Sequence, residues 1–325
     1  MKRKILTILR NADGSVSGQE LCGKLGVTRA AVWKVIESLR ADGYEIEAVP
    51  RVGYKLAASP DVLTEAEVGS RRYDKYKDAP LFCYDITDST NTRALAKAEE
   101  KAPEGSLFAA DVQEGGKGRR GRSWSSPAGE SLSMSFILRP EISPQTASMI
   151  TLVAAMAGRN AVERLTGTKP MIKWPNDIIL NGKKICGILT EMKLEEGEIA
   201  HIVVGMGFNV SQPSFEGELA DKAASLLMET GVRHSRAQLA CDVMAEFFPL
   251  YEQFLQDGDL SGLVEAYNDH LVGIGSEVVI IRPDGMQTAV SHGISSTGAL
   301  LVEAGGEQQA IIAGEVSVRG VNGYV

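Results

Sequence analysis

Residues 173–184, with the sequence KWPNDIILNGKK, determine how the middle of this chain folds. The Pro-Asn-Asp sequence at 175–177 separates two strand-like runs, because proline cannot donate a ladder hydrogen bond and asparagine and aspartate favour turns. Asn181-Gly182 then predicts a tight hairpin. Lys184 follows this hairpin turn, and from the pattern alone it points either into a cleft or into solvent.

The segments on both sides of this hairpin predict a mixed α and β domain. Short apolar runs predict strands at 81–84, 106–113, 131–138, 171–174, 177–181, 185–194 and 199–206. Longer periodic segments predict helices at 63–75, 91–101, 147–165 and 236–255. Adjacent strand runs of this kind suit an antiparallel or mixed sheet.

Residues 1–58 differ from the rest of the chain in pattern and in charge. They hold ten Lys/Arg and six Asp/Glu, whereas the whole chain has a net charge of −8. A helix is predicted at 2–10, a second from Ser17 to about 25, a third from Thr28 to about 41, and a hairpin at 45–56. This is the order of a winged helix-turn-helix.

A winged helix places its second motif helix in the major groove of DNA, and its basic side chains neutralise phosphates. We therefore predict DNA binding at this end of the chain, with a small helical interaction domain as the alternative. The candidate DNA contacts are Ser17, Thr28, Arg29, Lys34 and Arg51.

From about residue 273 the pattern changes to short strand-like runs between Gly, Asp and Ser turns. The runs at 278–281, 288–290, 300–302, 310–313 and 316–319 predict a small SH3-like β-barrel. The predicted fold class is therefore α+β in three domains. These are a winged helix-turn-helix at 1–62, a mixed α/β domain at 63–272 and the barrel at 273–325.

Composition excludes several classes of protein. No apolar run reaches the length of a transmembrane helix, and no signal peptide is recognisable. The four cysteines contain no CxxC pair, which argues against a zinc site or disulfides and favours a reducing cytoplasm. The four histidines have no metal-ligand spacing. We expect a cytoplasmic protein that does not contact a membrane.

A segment rich in glycine and arginine lies at 113–124, with the sequence QEGGKGRRGRSW. Four glycines and four cations fall within residues 115–122. Glycine lets backbone N–H groups approach an anion closely, and the cations supply charge. This composition suits a phosphate or adenylate, although a disordered basic loop or a nucleic-acid patch fits it equally well. No Walker A sequence is present.

Several short motifs occur in one order along the chain: Ser89-Thr90-Asn91, the 115–122 loop, KWPND at 173–177 followed by Lys184 and Gly187, and GxGxN at 205–209. In this combination the chain resembles the biotin protein ligases. With its winged helix, it resembles the bifunctional ligase–repressor class of bacteria. The resemblance covers nearly all 325 residues.

The resemblance implies a two-step reaction, with Mg²⁺ accompanying ATP. The carboxylate of biotin attacks the α-phosphate of ATP and gives biotinyl-5′-AMP and pyrophosphate. A lysine of biotin carboxyl carrier protein, from acetyl-CoA carboxylase, then attacks this mixed anhydride. It also implies repression of biotin genes by an adenylate-bound homodimer on operator DNA.

The resemblance also assigns residues to roles. Lys184 and Arg119 are the expected catalytic residues. The expected biotin-binding residues are Ser89, Thr90, Asn91, Gln113, Lys117, Gly118, Arg119 and Lys184. The expected adenylate- or phosphate-binding residues are Gly116, Arg120, Arg122, Lys173, Asn176, Asp177 and Asn209. Protein side chains alone build no metal site, and Asp177 is the candidate neighbour of nucleotide-bound Mg²⁺.

One position departs from the family pattern. The family loop often reads GRGRRGR, and here Lys117 stands at the first arginine. Lysine keeps the charge but lacks the planar fork of arginine, which puts adenylate affinity or loop closure in doubt. Two other functions compete with this interpretation: a lipoate ligase, and a biotin-sensing repressor without catalysis.

Overall fold

The computed structural model describes residues 1–282, 285–312 and 317–320. At the N-terminus, three helices precede a hairpin: α1 (Lys2–Arg10), α2 (Gly18–Leu25), α3 (Arg29–Ala41), β1 (Glu45–Val49) and β2 (Gly53–Ala58). These elements share a small core of their own, which includes Ile5, Leu21 and Ile36. The predicted helix-turn-helix and wing are therefore confirmed.

Local sequence explains where these helices begin. The Ser17 hydroxyl accepts a hydrogen bond from the Glu20 N–H at 3.0 Å, and the Thr28 hydroxyl accepts one from the Ala31 N–H at 3.3 Å. Each hydroxyl satisfies a backbone donor that the first helical turn leaves without a partner. At the wing, a Cβ on Gly53 would lie 2.1 Å from the Val16 carbonyl oxygen, so only glycine fits.

The central part of the chain is a seven-stranded mixed sheet with helices on both faces. Its strands are β3 (Leu81–Thr87), β4 (Leu107–Gln113), β5 (Ser131–Leu138), β6 (Met171–Lys173), β7 (Asp177–Leu180), β8 (Lys183–Glu195) and β9 (Glu198–Asn209). Their order across the sheet is β3-β4-β5-β9-β8-β7-β6. The β3–β4 pair is parallel and the other pairs are antiparallel.

Six helices accompany this sheet: α4 (Glu65–Arg71), α5 (Thr90–Glu99), α6 (Met149–Thr166), α7 (Leu226–Thr230), α8 (Arg236–Asp257) and α9 (Val264–Asn268). Every residue of β5 is buried, because both faces of the sheet are covered. Phe136 packs in the cluster that contains α6 and α8, and its neighbour Ile137 packs with Ala94 of α5. The alternation of side chains along one strand thus joins two helical layers to the sheet.

The first helix after the wing is shorter than the sequence predicts. The 63–75 pattern predicts one helix, whereas α4 ends at Arg71 and Arg72 is extended. The guanidinium of Arg72 pairs with the carboxylate of Asp74 at 2.9 Å, with both side chains fully buried. This buried pair fixes the chain in a turn that helical periodicity does not encode.

The C-terminal segment forms a five-stranded antiparallel sheet. Its strands are β10 (Glu277–Arg282), β11 (Gly285–Ile294), β12 (Leu300–Ala304), β13 (Glu307–Ile311) and β14 (Ser317–Gly320), in the order β13-β12-β11-β10-β14. The prediction of a small SH3-like β-barrel is confirmed as a small antiparallel sheet, although Ala313 and Val316 of the predicted runs lie outside the described residues. The Trp174 indole N–H donates to the Gly298 carbonyl at 3.0 Å, which ties this sheet to the KWPND segment.

No helix in the described part of the chain is both long and apolar enough to cross a bilayer.

Candidate active site

A cavity lies over the strands β8 and β9 and is closed on its other sides by the start of α5 and by the 114–124 loop. Its lining combines polar groups, glycines, one aromatic ring and cations. The lining residues are Ser89, Thr90, Asn91, Gln113, Lys117, Gly118, Arg119, Trp124, Ser133, Met134, Asn176, Lys184, Gly187, Ile188, Leu189, Gly205, Met206 and Gly207.

Gln113 and Thr90 form the polar end of this cavity. The Thr90 N–H and hydroxyl both donate to the Gln113 side-chain carbonyl, at 2.7 and 3.1 Å. These bonds fix which way the Gln113 amide points. Its NH₂ group donates to no residue in the described part of the chain, so it can donate to the carbonyl oxygen of a ligand.

Asn91 is held rigidly at the same end. Its amide N–H group donates to the Glu191 carboxylate at 2.7 Å, and its carbonyl accepts from the Ser135 hydroxyl at 2.6 Å. A Cβ on Gly205 would lie 2.0 Å from the Asn91 Oδ1 atom. The glycine in β9 therefore makes room for the asparagine.

The Trp124 ring packs against two glycines in the middle of the cavity. Gly187 of β8 and Gly207 of β9 are register partners. A Cβ on Gly207 would lie 2.5 Å from the Trp124 ring, and one on Gly187 would lie 3.1 Å from it. The buried Trp124 indole N–H has no hydrogen-bond partner among the described residues. The indole thus contributes an apolar surface to the middle of the cavity.

Positive charge gathers at the other end of the cavity. The Lys184 ammonium pairs with the Asp177 carboxylate at 2.6 Å and lies 5.4 Å from the centre of the Trp124 ring. Arg119 donates to the Asn176 side-chain carbonyl at 2.9 Å. Burial lowers the pKa of the Arg119 guanidinium, against the opposing effect of Asp177. Because arginine side chains stay protonated in proteins, Arg119 remains a cation at neutral pH.

The glycines give the 114–124 loop its shape. The Gly118 N–H donates to the Arg122 carbonyl at 2.7 Å, and the Trp124 N–H donates to the Gly116 carbonyl at 2.9 Å. A Cβ on Gly116 would lie 2.4 Å from the Trp124 carbonyl oxygen. This tight fold carries Arg119 and Trp124 over the cavity.

The structure brings most of the predicted biotin-site residues together. The residues expected to bind biotin all line the cavity, and Asn176 joins them. Asp177 contacts the cavity through Lys184. Arg120 lies at an adjoining cavity next to Arg119.

Four other predicted residues do not line the cavity. Gly116 lies beneath the Trp124 backbone, Arg122 is exposed and Lys173 is buried in β6. Asn209 donates to the Lys184 and Ala224 carbonyls, so it positions the strand that bears Lys184. Their expected contacts with a nucleotide stay predictions.

Sequence reasoning assigned no role to Trp124, although it follows the arginine loop directly. It also gave the glycines of the GxGxN motif at 205–209 no separate role. The packing across β8 and β9 shows instead that these glycines leave space for Asn91 and Trp124. The sequence signal for Trp124 was its position directly after a loop of glycines and cations.

The predicted DNA contacts lie on α2, α3 and the wing. Arg29 and Lys34 are exposed on α3, and Arg51 is exposed at the tip of the wing with a φ of 64°. The Ser17 and Thr28 side chains cap α2 and α3. Their contacts with DNA stay predictions.

Comparison with known protein families identifies the class of protein to which this site and fold belong. Residues 83–209 match the biotin/lipoate A/B protein ligase family, residues 2–55 match an HTH domain, and residues 273–319 match the biotin protein ligase C-terminal domain. The class is thus a protein ligase that carries a helix-turn-helix domain.

Curated relatives that match over nearly the full length of this chain identify the family within that class. The bifunctional ligase/repressor BirA of Bacillus spizizenii is 39% identical over 93% of this chain and 94% of its own length. The Escherichia coli protein of the same name is 31% identical over 97% and 96%. A biotin protein ligase from Aquifex aeolicus, solved with biotin and ATP, matches 74% of this chain and 99% of that one, with 28% identity and a TM-score of 0.65. The chain belongs to the family of bifunctional biotin protein ligases and repressors.

Proposed function

We propose that this chain joins biotin to a lysine of biotin carboxyl carrier protein through biotinyl-5′-AMP, and that its adenylate-bound dimer represses biotin genes. One observation supports the ligase function most strongly: a single cavity has amide and hydroxyl groups at one end, an indole over glycines in the middle and Lys184 with Arg119 at the other. This order suits a ligand with a polar head, an apolar body and an anionic tail.

Biotin has this shape. The fixed amide of Gln113 is placed to donate to the ureido carbonyl, and the hydroxyls of Ser89 and Thr90 lie beside it. The valeryl chain then extends past Trp124 and brings the carboxylate to Lys184. Oriented this way, the carboxylate is presented to the nucleotide without a covalent enzyme intermediate.

The first step must bring two anions together. In a site partly shielded from water, Lys184 and Arg119 reduce the repulsion between the carboxylate and the α-phosphate, and they stabilise the charge that develops during transfer. Lys184 must exchange its contact with Asp177 for a contact with the ligand. We assign Arg120, Arg122, Lys173 and Asn209 to the surroundings of the nucleotide.

Asp177 can supply the one carboxylate ligand that nucleotide-bound Mg²⁺ commonly takes from a protein. This ion is commonly held by one or two carboxylates together with phosphates and water. No cluster of three metal-ligating side chains occurs among the described residues. We therefore propose that Mg²⁺ arrives with ATP and neutralises phosphate charge, with Asp177 as its protein neighbour. Because the reaction consumes ATP, we place the protein in the cytoplasm.

We divide the chain into a DNA-binding domain at 1–62, a biotin- and ATP-binding domain at 63–272 and an SH3-like domain at 273–325. A single winged helix covers one half-site, so repression requires a dimer on a two-fold operator. If the adenylate tightens dimerisation, dimerisation must tighten adenylate binding by the same factor.

The outer half of β8 is the surface we assign to the second protomer. β7 pairs with β8 only as far as Gly187, and no described strand covers that edge of β8 beyond it. Met192 and Leu194 are 46% and 42% exposed there. We propose that the carrier protein docks on the same surface, so that abundant carrier keeps the protein a monomeric ligase.

The reaction is tested by exchange between ATP and labelled pyrophosphate. We expect exchange that depends on biotin, followed by a mass increase of a purified carrier domain that corresponds to one biotin. Exchange that requires lipoate instead identifies a lipoate ligase. Absence of exchange together with biotin binding identifies a sensor without catalysis.

The switch is tested by operator binding. We expect biotin plus ATP to promote binding, excess carrier domain to reverse it, and Met192→Asp to weaken dimerisation. If operator binding is unchanged by biotin plus ATP, by excess carrier domain and by Met192→Asp, the proposed switch is wrong. The DNA-binding function of the N-terminal domain would still stand.

A further inference from the structure

Trp33 is a large apolar side chain on the surface of the DNA-binding unit. It belongs to α3 and is 59% exposed, whereas Val32, Ile36 and Leu39 of the same helix form the core. Exposure of an indole forgoes the free energy that its burial provides. The face of α3 that carries Trp33 is therefore a candidate for contact with another molecule.

The neighbours of Trp33 on this face indicate what that molecule is. Arg29 lies one turn before it and Lys34 directly after it, and both are exposed. Lys34 forms no ion pair with a described residue. Glu37, one turn later, is paired with Arg40 at 2.6 Å. An exposed aromatic ring with cations before and after it in α3, and with the one carboxylate of that helix already paired, suits a polyanion with apolar groups better than a protein surface.

The position of Trp33 within the fold also favours contact with a polyanion, in this case DNA. α3 is the second helix of the helix-turn-helix, and the N-terminal half of such a helix meets base edges in the major groove. Trp33 is the fifth of the thirteen residues in α3. Ala30, one turn before it, is also exposed and is small enough to leave space beside the indole for an incoming base pair.

We propose that Trp33 determines sequence specificity by packing its indole against thymine 5-methyl groups in the major groove of each operator half-site. The thymine methyl is the apolar feature of that groove, and apolar side chains recognise it by contact. Arg29 and Lys34 would flank this contact and hold the backbone phosphates, which carry charge but no sequence information. The inference rests on the proposed repressor function.

The test replaces thymine by deoxyuridine, which removes the methyl group and keeps every hydrogen bond of the base pair. The duplex is first selected from a random library with the full-length wild-type protein, biotin and ATP. Each thymine is then replaced in turn. We expect one or two positions per half-site at which the wild type loses about fourfold in affinity, or about sixteenfold when both half-sites are changed, as for burial of a methyl group.

Trp33→Ala should bind this duplex more weakly and should no longer respond to deoxyuridine at those positions. Lys34→Ala is the matched control: it should bind all duplexes more weakly, with a smaller dependence on salt, and should keep the wild-type response to deoxyuridine. Thermal unfolding of both variants should match that of the wild type, because both side chains are exposed.

Two results overturn the inference. One is an equal deoxyuridine response in Trp33→Ala and the wild type. The other is unchanged duplex affinity of Trp33→Ala together with weaker self-association, which would assign the indole to a protein contact. A wild type that selects no duplex contradicts the repressor function itself, and the role of Trp33 with it.

Discussion

Lys184 and Lys183 are neighbours in β8 with different surroundings. Lys184 lies in the cavity, whereas the Lys183 ammonium donates to the Ala220 carbonyl at 3.0 Å outside it. A cation about 4 Å from a carboxylate is worth about 4 kcal/mol at an effective dielectric of about 20. We expect Lys184→Ala to slow biotin-dependent pyrophosphate exchange by about 10²–10³. Lys183→Ala should stay near the wild-type rate. A large loss in Lys183→Ala with a near-normal rate in Lys184→Ala would contradict the assignment of Lys184 to the active site.

Gly205 tests the fit between β9 and α5. Gly205→Ala places a Cβ 2.0 Å from the Asn91 side chain, which is anchored by Ser135 and Glu191 and cannot move freely. We expect a loss of about 1–3 kcal/mol in the free energy of unfolding, as for overpacked cores, together with weaker biotin binding by calorimetry.

Gly23→Ala is the matched control for Gly205. A Cβ on Gly23 meets nothing within 4 Å, and the residue lies within α2. We expect a gain of about 0.4–1 kcal/mol from the reduced freedom of the unfolded chain. Equal effects of the two substitutions would show that backbone propensity, and not contact with Asn91, determines the result.

At the scale of elements, we expect the 114–124 loop to retain the adenylate intermediate in the site. It is fixed to the KWPND segment by the bond from Arg119 to Asn176. We expect Arg119→Gly to release biotinyl-AMP early, so that the free anhydride labels lysines without selection. The measurement is biotinylation of albumin in the same reaction. Asn176→Ala removes the acceptor of this bond and should release an intermediate amount, whereas wild-type selectivity in both variants rules out a retaining role.

At the scale of the whole molecule, a buried ion-pair cluster fastens the DNA-binding unit to the ligase. Glu67 of α4 is fully buried and pairs with Arg10 of α1 at 2.5 Å and with Arg71 at 2.7 Å. Burial, opposed by Glu67, lowers the pKa of the Arg10 guanidinium. We expect Glu67→Gln to lower the free energy of unfolding by about 3 kcal/mol, since it leaves two partly buried cations with a neutral partner.

Protease cleavage within residues 59–63 should also accelerate in Glu67→Gln, because the unit docks less firmly. The control is Lys24→Ala, which breaks an exposed pair with Glu20 and should change stability by no more than about 0.5 kcal/mol. Cleavage at the wild-type rate in Glu67→Gln would show that other contacts hold the two units together.

The sequence by itself determined the elements whose signals are local. Apolar periodicity located the helices, and capping residues such as Ser17 and Thr28 marked where two of them begin. The run Ser131–Leu138 was predicted at its observed bounds, and the Asn181-Gly182 turn lies between β7 and β8 as expected. Such features depend on neighbours within a few residues, so the chain encodes them without reference to the rest of the fold. The residues expected to hold biotin followed from motif order and resemblance.

Only the tertiary structure decided the features that depend on contacts between segments far apart in the sequence. The end of α4 at Arg71 depends on a buried pair between Arg72 and Asp74. The roles of Gly205 and Gly207 depend on Asn91 and Trp124, which reach them from α5 and from the loop. No local pattern distinguishes a lysine that faces a cavity from one that faces a backbone carbonyl, because the difference arises when distant segments pack together.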